Sequence, residues 1–167
     1  MSVTKRPATI VDLPEIWALM DAYKAHYLDD FSEINKAWLL EMFADAPHLT
    51  SLVGKYGNIV GFVHVSEIRE GLHCTAHVVV QPRYWRKIVQ ADVIGKEITE
   101  TIAKYRLYKI KARILKHQSS ARVVLKRYGF KQIASFWHET SYKNKPATVF
   151  EFCLLAKDWR KRLNGPK

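Results

Sequence analysis

A single mixed α/β layer is the fold class that this 167-residue sequence predicts. Two patterns predict it. Short runs rich in β-branched and aromatic residues interleave with longer stretches whose apolar residues fall at helical spacing. Their order reads β-α-α-β-β-β-α-β-α-β-β, with no internal repeat and no linker. One mixed sheet of about six to seven strands, flanked by about four helices, accommodates that order.

Residues 7–10 form the first expected strand. Asp12 then caps a helix with Pro14 and Glu15 in its first turn. Leu13, Ile16, Trp17, Met20 and Tyr23 make the apolar stripe of that helix. A second helix is expected from Glu33 to Phe43, burying Ile34, Trp38, Leu39 and Met42. SLVGKYGNIVGFVHVSEI reads as two strands joined at residues 55–58, where Gly57 and Asn58 favour a turn. After Glu70 and Gly71, LHCTAHVVV is a strand closed by Gln81 and Pro82. Its β-branched Val78, Val79 and Val80 suit burial on both faces. One long helix from Arg86 to Tyr105 follows, with Ile94, Ile98 and Ile102 at helical spacing. LYKIKARIL alternates as a strand from Leu107 to Leu115. SSARVVLKRYGF is a helix capped by Ser119 or Ser120 and ended by Gly129. Two last strands, 132–142 and 147–155, meet across residues 143–146.

The length suits one domain, residues 1–157, followed by a basic, frayed tail at 158–167. With 48% of residues hydrophobic, the chain is not a disordered one. No run of 18 apolar residues and no signal-peptide core are present, so no membrane partner and a cytoplasmic location are expected. Cys74 and Cys153 form no CxxC pair and are expected as buried thiols. His73 and His77 share a strand face but sit about 13 Å apart, too far to bind one metal. No metal site is expected. Trp17, Trp38 and Trp159 are candidates for the core or for a dimer surface.

The net charge of +11 is unevenly spread. Between Thr101 and His138 there are ten Lys or Arg residues and no acid. A field of one sign attracts polyanions, whether nucleic acid, a polyphosphate cofactor or an acidic protein; a merely solvated face is the alternative.

Three local matches accompany the element order. RPATIVDLPEI, VVVQPRYWRKIVQA and QSSARVVLKRYGFK resemble the first strand and helix entry, the pyrophosphate turn, and the fourth helix of the GNAT superfamily of N-acetyltransferases. Together they cover most of the chain except the last strands and tail. The resemblance implies a GNAT-like fold, acyl-CoA (in the simplest case acetyl-CoA) as cofactor, and an amine acceptor. The family's turn, Gln/Arg-x-x-Gly-x-Gly/Ala, matches Arg86, Lys87, Ile88, Val89, Gln90 and Ala91, with Val89 in place of the first glycine. Main-chain N–H groups of residues 87–91 are then the expected pyrophosphate donors, with charge from Arg86 and Lys87. Main-chain groups of Val78, Val79 and Val80 are expected to pair with the pantetheine arm.

Many members of the family carry a glutamate base on the fourth strand; the matching His73-Cys74-Thr75 has none. His73 is the candidate base, with Glu67 and Glu70 as alternatives. Where the family places a tyrosine that protonates the thiolate, this chain has Leu125, and Tyr128 lies three residues later as a substitute or a packing residue. The chain also resembles small GNAT-like proteins of tailed bacteriophages, some linked to the virion or its assembly, which would make a virion location the alternative to the cytoplasm. Two functions follow. One is an N-acyltransferase with a degenerate site. The other is a catalytically inactive binding or structural protein that meets nucleic acid or an acidic protein through a basic face, Lys104 to Lys131. In the second, Tyr105, Tyr108, Tyr128 and Trp137 are candidates for base stacking.

Overall fold

The computed structural model describes residues 3–23, 36–45, 49–142 and 145–165. Seven strands form one mixed sheet: β1 (Thr4–Pro7), β2 (Leu49–Val53), β3 (Ile59–Arg69), β4 (His73–Val80), β5 (Lys109–Leu115), β6 (Lys131–Tyr142) and β7 (Lys145–Leu155). Their order is β1-β2-β3-β4-β5-β7-β6. β4 and β5 run parallel, while β1–β2, β2–β3, β5–β7 and β6–β7 pair antiparallel. Six α-helices lie among the described residues: α1 (Leu13–Tyr23), α2 (Lys36–Asp45), α3 (Trp85–Gln90), α4 (Val93–Lys104), α5 (Ser119–Arg127) and α6 (Ala156–Asn164). The mixed sheet is the one the sequence predicts. Two helices are added because the expected helix from Arg86 to Tyr105 breaks in two and the tail folds. The chain divides into two compact units, Met1–Val65 with His77–Ile94, and Ser66–Ala76 with Gly95–Lys167.

In the first unit α1 begins at Leu13, where the sequence suggests. A 3-10 turn, Ile10–Asp12, precedes it. Asp12 does not cap α1; its carboxylate accepts from the Thr9 N–H at 2.8 Å, from the Ser51 hydroxyl at 3.0 Å and from two Arg6 nitrogens at 2.6 Å each. β1 lies at Thr4–Pro7 rather than at 7–10. Glu15 accepts the Ile59 N–H at 2.9 Å, so α1 also fixes the start of β3. Leu13, Ile16, Leu19 and Met20 of α1 join Leu39, Leu49, Ile59, Phe62 and Val79 in an apolar cluster, with Trp17 packed at its margin. Burying such side chains contributes about 1.5–3 kcal/mol each. Of the expected second helix, Glu33 and Ile34 lie outside the described residues, as do the side chains of Trp38, Met42 and Tyr23. A Cβ at Gly61 would fall 2.5 Å from the Val79 carbonyl oxygen and 3.1 Å from the Val80 Cα. Only glycine permits that approach of two backbones.

In the second unit β5 alternates. Ile110, Ala112 and Ile114 are buried, and their register partners on β7 include Leu154 and Phe152, which are also buried. Lys109, Lys111 and Arg113 occupy the other, half-buried face. Ser119 and Ser120 do not cap α5; Gln118 precedes the helix, and its Oε1 accepts the Leu115 N–H at 3.0 Å. Gly129, at φ +87°, ends α5 as expected, and the Phe130 N–H closes back onto the Leu125 carbonyl at 3.0 Å. The tail is not frayed through Asn164: Trp159 on α6 is 3% exposed and donates its Nε1–H to the Thr99 hydroxyl at 3.0 Å. Trp159 and Ala156 are the buried residues that anchor this helix, whose remaining residues are mostly basic and exposed.

Candidate functional site

In the first unit β4 runs into a basic corner. A 3-10 turn, Pro82–Tyr84, leads into α3, which stops at Ala91 and Asp92 before α4 starts. Asp92 takes φ +50°, a left-handed conformation that aspartate tolerates better than most residues. The single long helix expected from Arg86 is therefore corrected. Lacking glycine, Trp85–Gln90 closes into a short helix instead of an open loop. Its main-chain groups turn inward: the Ala91 N–H donates to the Lys87 carbonyl at 2.9 Å, and the Asp92 N–H to the Val89 carbonyl at 3.3 Å.

The side chains divide clearly. Ile88 is fully buried, Val79 and Val80 are 6% exposed, and Val78 and Val89 are half-buried. Arg86 and Gln90 are exposed. Lys87 places its Nζ 5.0 Å from the centre of the Tyr84 ring, and the Arg83 guanidinium lies 5.2 Å from the same ring. Arg83 and Tyr84 were not among the expected site residues, although the run PRYWRK places three cations within five positions. The corner thus keeps its positive side chains even where an N–H is spent on the helix itself. His77 stacks on His64, with ring centroids 5.7 Å apart and planes inclined by 21°.

In the second unit the start of β4 carries His73, half-buried, and Thr75, 4% exposed. The Thr75 hydroxyl donates to Glu67 Oε2 at 2.6 Å. Glu67 is exposed and held at φ +50° within β3, a strained conformation of the kind that clusters at functional positions. Parallel register sets His73 beside Lys109 and Thr75 beside Lys111. Partial burial, then Lys111, Arg69 and Lys109, hold the His73 imidazole below its ordinary value of 6.5, while Glu67 pulls the other way. His73 is therefore a neutral imidazole at neutral pH. Tyr128 is 4% exposed, with its ring centre 6.3 Å from that of Trp159. Cys74 is fully buried, which pushes its thiol up to about 12, and Cys153 is raised by burial too. Neither is a thiolate at neutral pH.

The ten cations between Thr101 and His138 come from several elements. They spread over the end of α4, β5, α5 and β6, and only Lys109, Lys111 and Arg113 alternate along a single strand face. Of the aromatic residues among them, Tyr108 is 53% and Trp137 73% exposed, the latter on a bulge of β6 with Lys116 Nζ 5.6 Å from its ring. Among the described residues no helix is long and apolar enough to cross a membrane, and no group of three or more His, Cys, Asp or Glu side chains could hold a metal ion.

No family model matches the chain, and no curated protein sequence does. Solved structures match nearly its whole length. A chimera of spermidine N-acetyltransferase SpeG from Vibrio cholerae and hSSAT superposes with a TM-score of 0.81 at 16% identity, covering 97% of this chain and 100% of that one. Spermidine N-acetyltransferase from Vibrio cholerae in complex with CoA and spermine gives 0.79 at 16% identity, covering 95% and 98%. Ard1 from Thermoplasma volcanium gives 0.75 at 15%, covering 93% and 98%. The chain has the GNAT-like α/β fold of N-acetyltransferases.

Proposed function

We propose that this chain is an acyl-CoA-dependent N-acyltransferase, with acetyl as the simplest acyl group and an amine as acceptor. The observation that carries this is the GNAT-like fold along nearly the whole chain, in which β3 and β4 present two proton acceptors, His73 and Glu67. Acyl-CoA, when bound, supplies the activated thioester. Arg83, Arg86 and Lys87 are the side chains that would hold its phosphates, as charge-assisted donors. Main-chain groups of Val78, Val79 and Val80 would pair with its pantetheine arm. Val89 costs the turn the close backbone approach of a glycine, so side chains take a larger share of the phosphate binding.

His73 accepts the proton of the attacking amine. Its lowered proton affinity leaves it free to do so at neutral pH. Glu67, oriented by the Thr75 hydroxyl, is the second acceptor. Tyr128 is too deeply buried to meet a leaving thiolate, which solvent protonates instead.

Release of the CoA thiol, followed against pH in the presence of amines, tests this. The acid limb of kcat/KM should lie below the ordinary histidine value of 6.5, because the imidazole must be neutral to act. His73→Gln should lower kcat/KM about 100-fold and remove that limb. An unchanged rate in His73→Gln would assign the base elsewhere.

A second function draws on exposed Trp137 and its partner Lys116: a catalytically inactive, virion- or assembly-associated protein binding nucleic acid or an acidic protein. Binding that falls steeply with salt, without acyl transfer, would favour it.

A further inference from the structure

We propose that the acceptor is a small amine bearing a carboxylate or phosphate a few bonds from its nitrogen, bound at the β4–β5 face of the second unit. The acyltransferase function proposed above is assumed for the ligand's role, but not for its charge. Lys109 and Lys111 project from the half-buried face of β5, opposite in direction to buried Ile110 and Ala112. Arg113 shares that face but is already compensated, through its ion pair with Glu139 and its register partner Glu151 on β7. Lys109 and Lys111 stand opposite Leu155 and Cys153 instead. Among the described residues neither lysine is paired with a carboxylate.

Arg69 adds a third cation acting on His73, and among the described residues Glu67 is the acid that opposes them there. Glu67 is also committed to the Thr75 hydroxyl. The surroundings of His73 therefore hold an excess of positive charge. That field repels a polyamine, whose further ammonium groups would fall among like charges. It attracts an anion, and it lowers the proton affinity of a nearby amine, which favours the uncharged nucleophile.

The register also sets a length. Neighbouring strands lie about 4.8 Å apart, so an amine beside His73 has its anionic group beside Lys109 or Lys111 only if the two are a few bonds apart. β-Alanine and phosphoethanolamine have this form, with carboxylate and phosphate respectively. A nucleic-acid strand fits less well, since the cation row along β5 ends at the neutralised Arg113.

The test compares β-alanine with propylamine, and phosphoethanolamine with ethanolamine, as acceptors, with spermidine alongside. The anionic member of at least one pair should show a kcat/KM about tenfold or more above its neutral-tailed analogue, and spermidine should be poor. Lys109→Glu and Lys111→Glu should erase that preference and improve spermidine, with the milder Lys111→Gln giving a partial effect if a reversal fails to fold. Which pair responds separates carboxylate from phosphate. Spermidine preferred by the unaltered protein, or an anion preference untouched by either lysine variant, would overturn the proposal.

If no amine is acylated, the acyltransferase function fails, and the charge of the site is read directly. The His73 ring resonances should then shift saturably with β-alanine or phosphoethanolamine, and not in Lys111→Glu. No shift with either probe overturns the site. So does displacement of both by a single-stranded oligonucleotide whose affinity falls with salt.

Discussion

Replacing Gly61 with alanine should cost about 3 kcal/mol of stability and weaken acyl-CoA binding together. The added methyl would stand 2.5 Å from the Val79 carbonyl oxygen and 3.1 Å from the Val80 Cα, so it meets backbone and not the flexible end of a side chain. Either β3 or β4 must move. Gln81 resists such movement, because its N–H is tied to the Val60 carbonyl at 2.9 Å beside the point of closest approach. An alanine also stiffens the unfolded chain, which returns about 0.4–1 kcal/mol. The net loss remains large because the atoms in the way are sheet backbone, and binding weakens with it because the same strand end is assigned to the pantetheine arm. Urea unfolding should show a lower midpoint with an unchanged slope. A Gly61→Ala protein as stable as the parent would mean that the two strands part without penalty.

Asp12→Ala should cost about 2–3 kcal/mol, since it strips a buried acceptor from three donors at once, of which the Arg6 guanidinium is open enough to be rehydrated. Arg6 would lose a bidentate partner, while the Thr9 N–H and the fully buried Ser51 hydroxyl would lose their acceptor. The same group gives a pH signature. Chiefly through its hydrogen bonds with Arg6, the Asp12 carboxyl is lowered from 3.8 to about 2, against the opposing effect of burial. A carboxylate lowered on folding stabilises above its unfolded value and loses that contribution as pH falls through its folded value. About 2 kcal/mol should therefore disappear between roughly pH 4 and pH 2. Asp12→Ala should lack that component, and equal acid sensitivity in both proteins would contradict this role.

The sequence made some elements legible and hid others for identifiable reasons. β4 and β5 announced themselves through β-branched residues and period-two alternation, and Gly129 marked the end of α5 because only a left-handed residue closes that helix. The break before α4 was hidden. Apolar residues continue at helical spacing through Val89 and Val93, and Asp92 supplies the left-handed turn without a glycine or proline to mark it. Helix α6 was hidden as well, because the signal in KDWRKRLNGPK is essentially one tryptophan whose partner, Thr99, is 60 residues away.

The candidate site was legible to the same depth. Local resemblance to the GNAT motifs picked out His73, Val78 to Val80, and the Arg86–Ala91 turn. It could not pair Thr75 with Glu67, which depends on how β3 lies against β4, nor expose the strained backbone of Glu67. Nor could it separate Lys109 and Lys111 from the other eight cations of the basic span. That distinction appears only once β7 shows which partners are acidic.

Calorimetric titration with acetyl-CoA, with desulfo-CoA alongside, tests the central claim most directly. Saturable binding with a dissociation constant on the order of 10 µM, weakened about tenfold or more by Arg86→Glu, is the result expected of a basic corner that holds the phosphates through side chains. No binding of either ligand at concentrations on the order of a millimolar would contradict it. It would mean that the closed helix Trp85–Gln90 leaves a GNAT-like fold with no place for acyl-CoA.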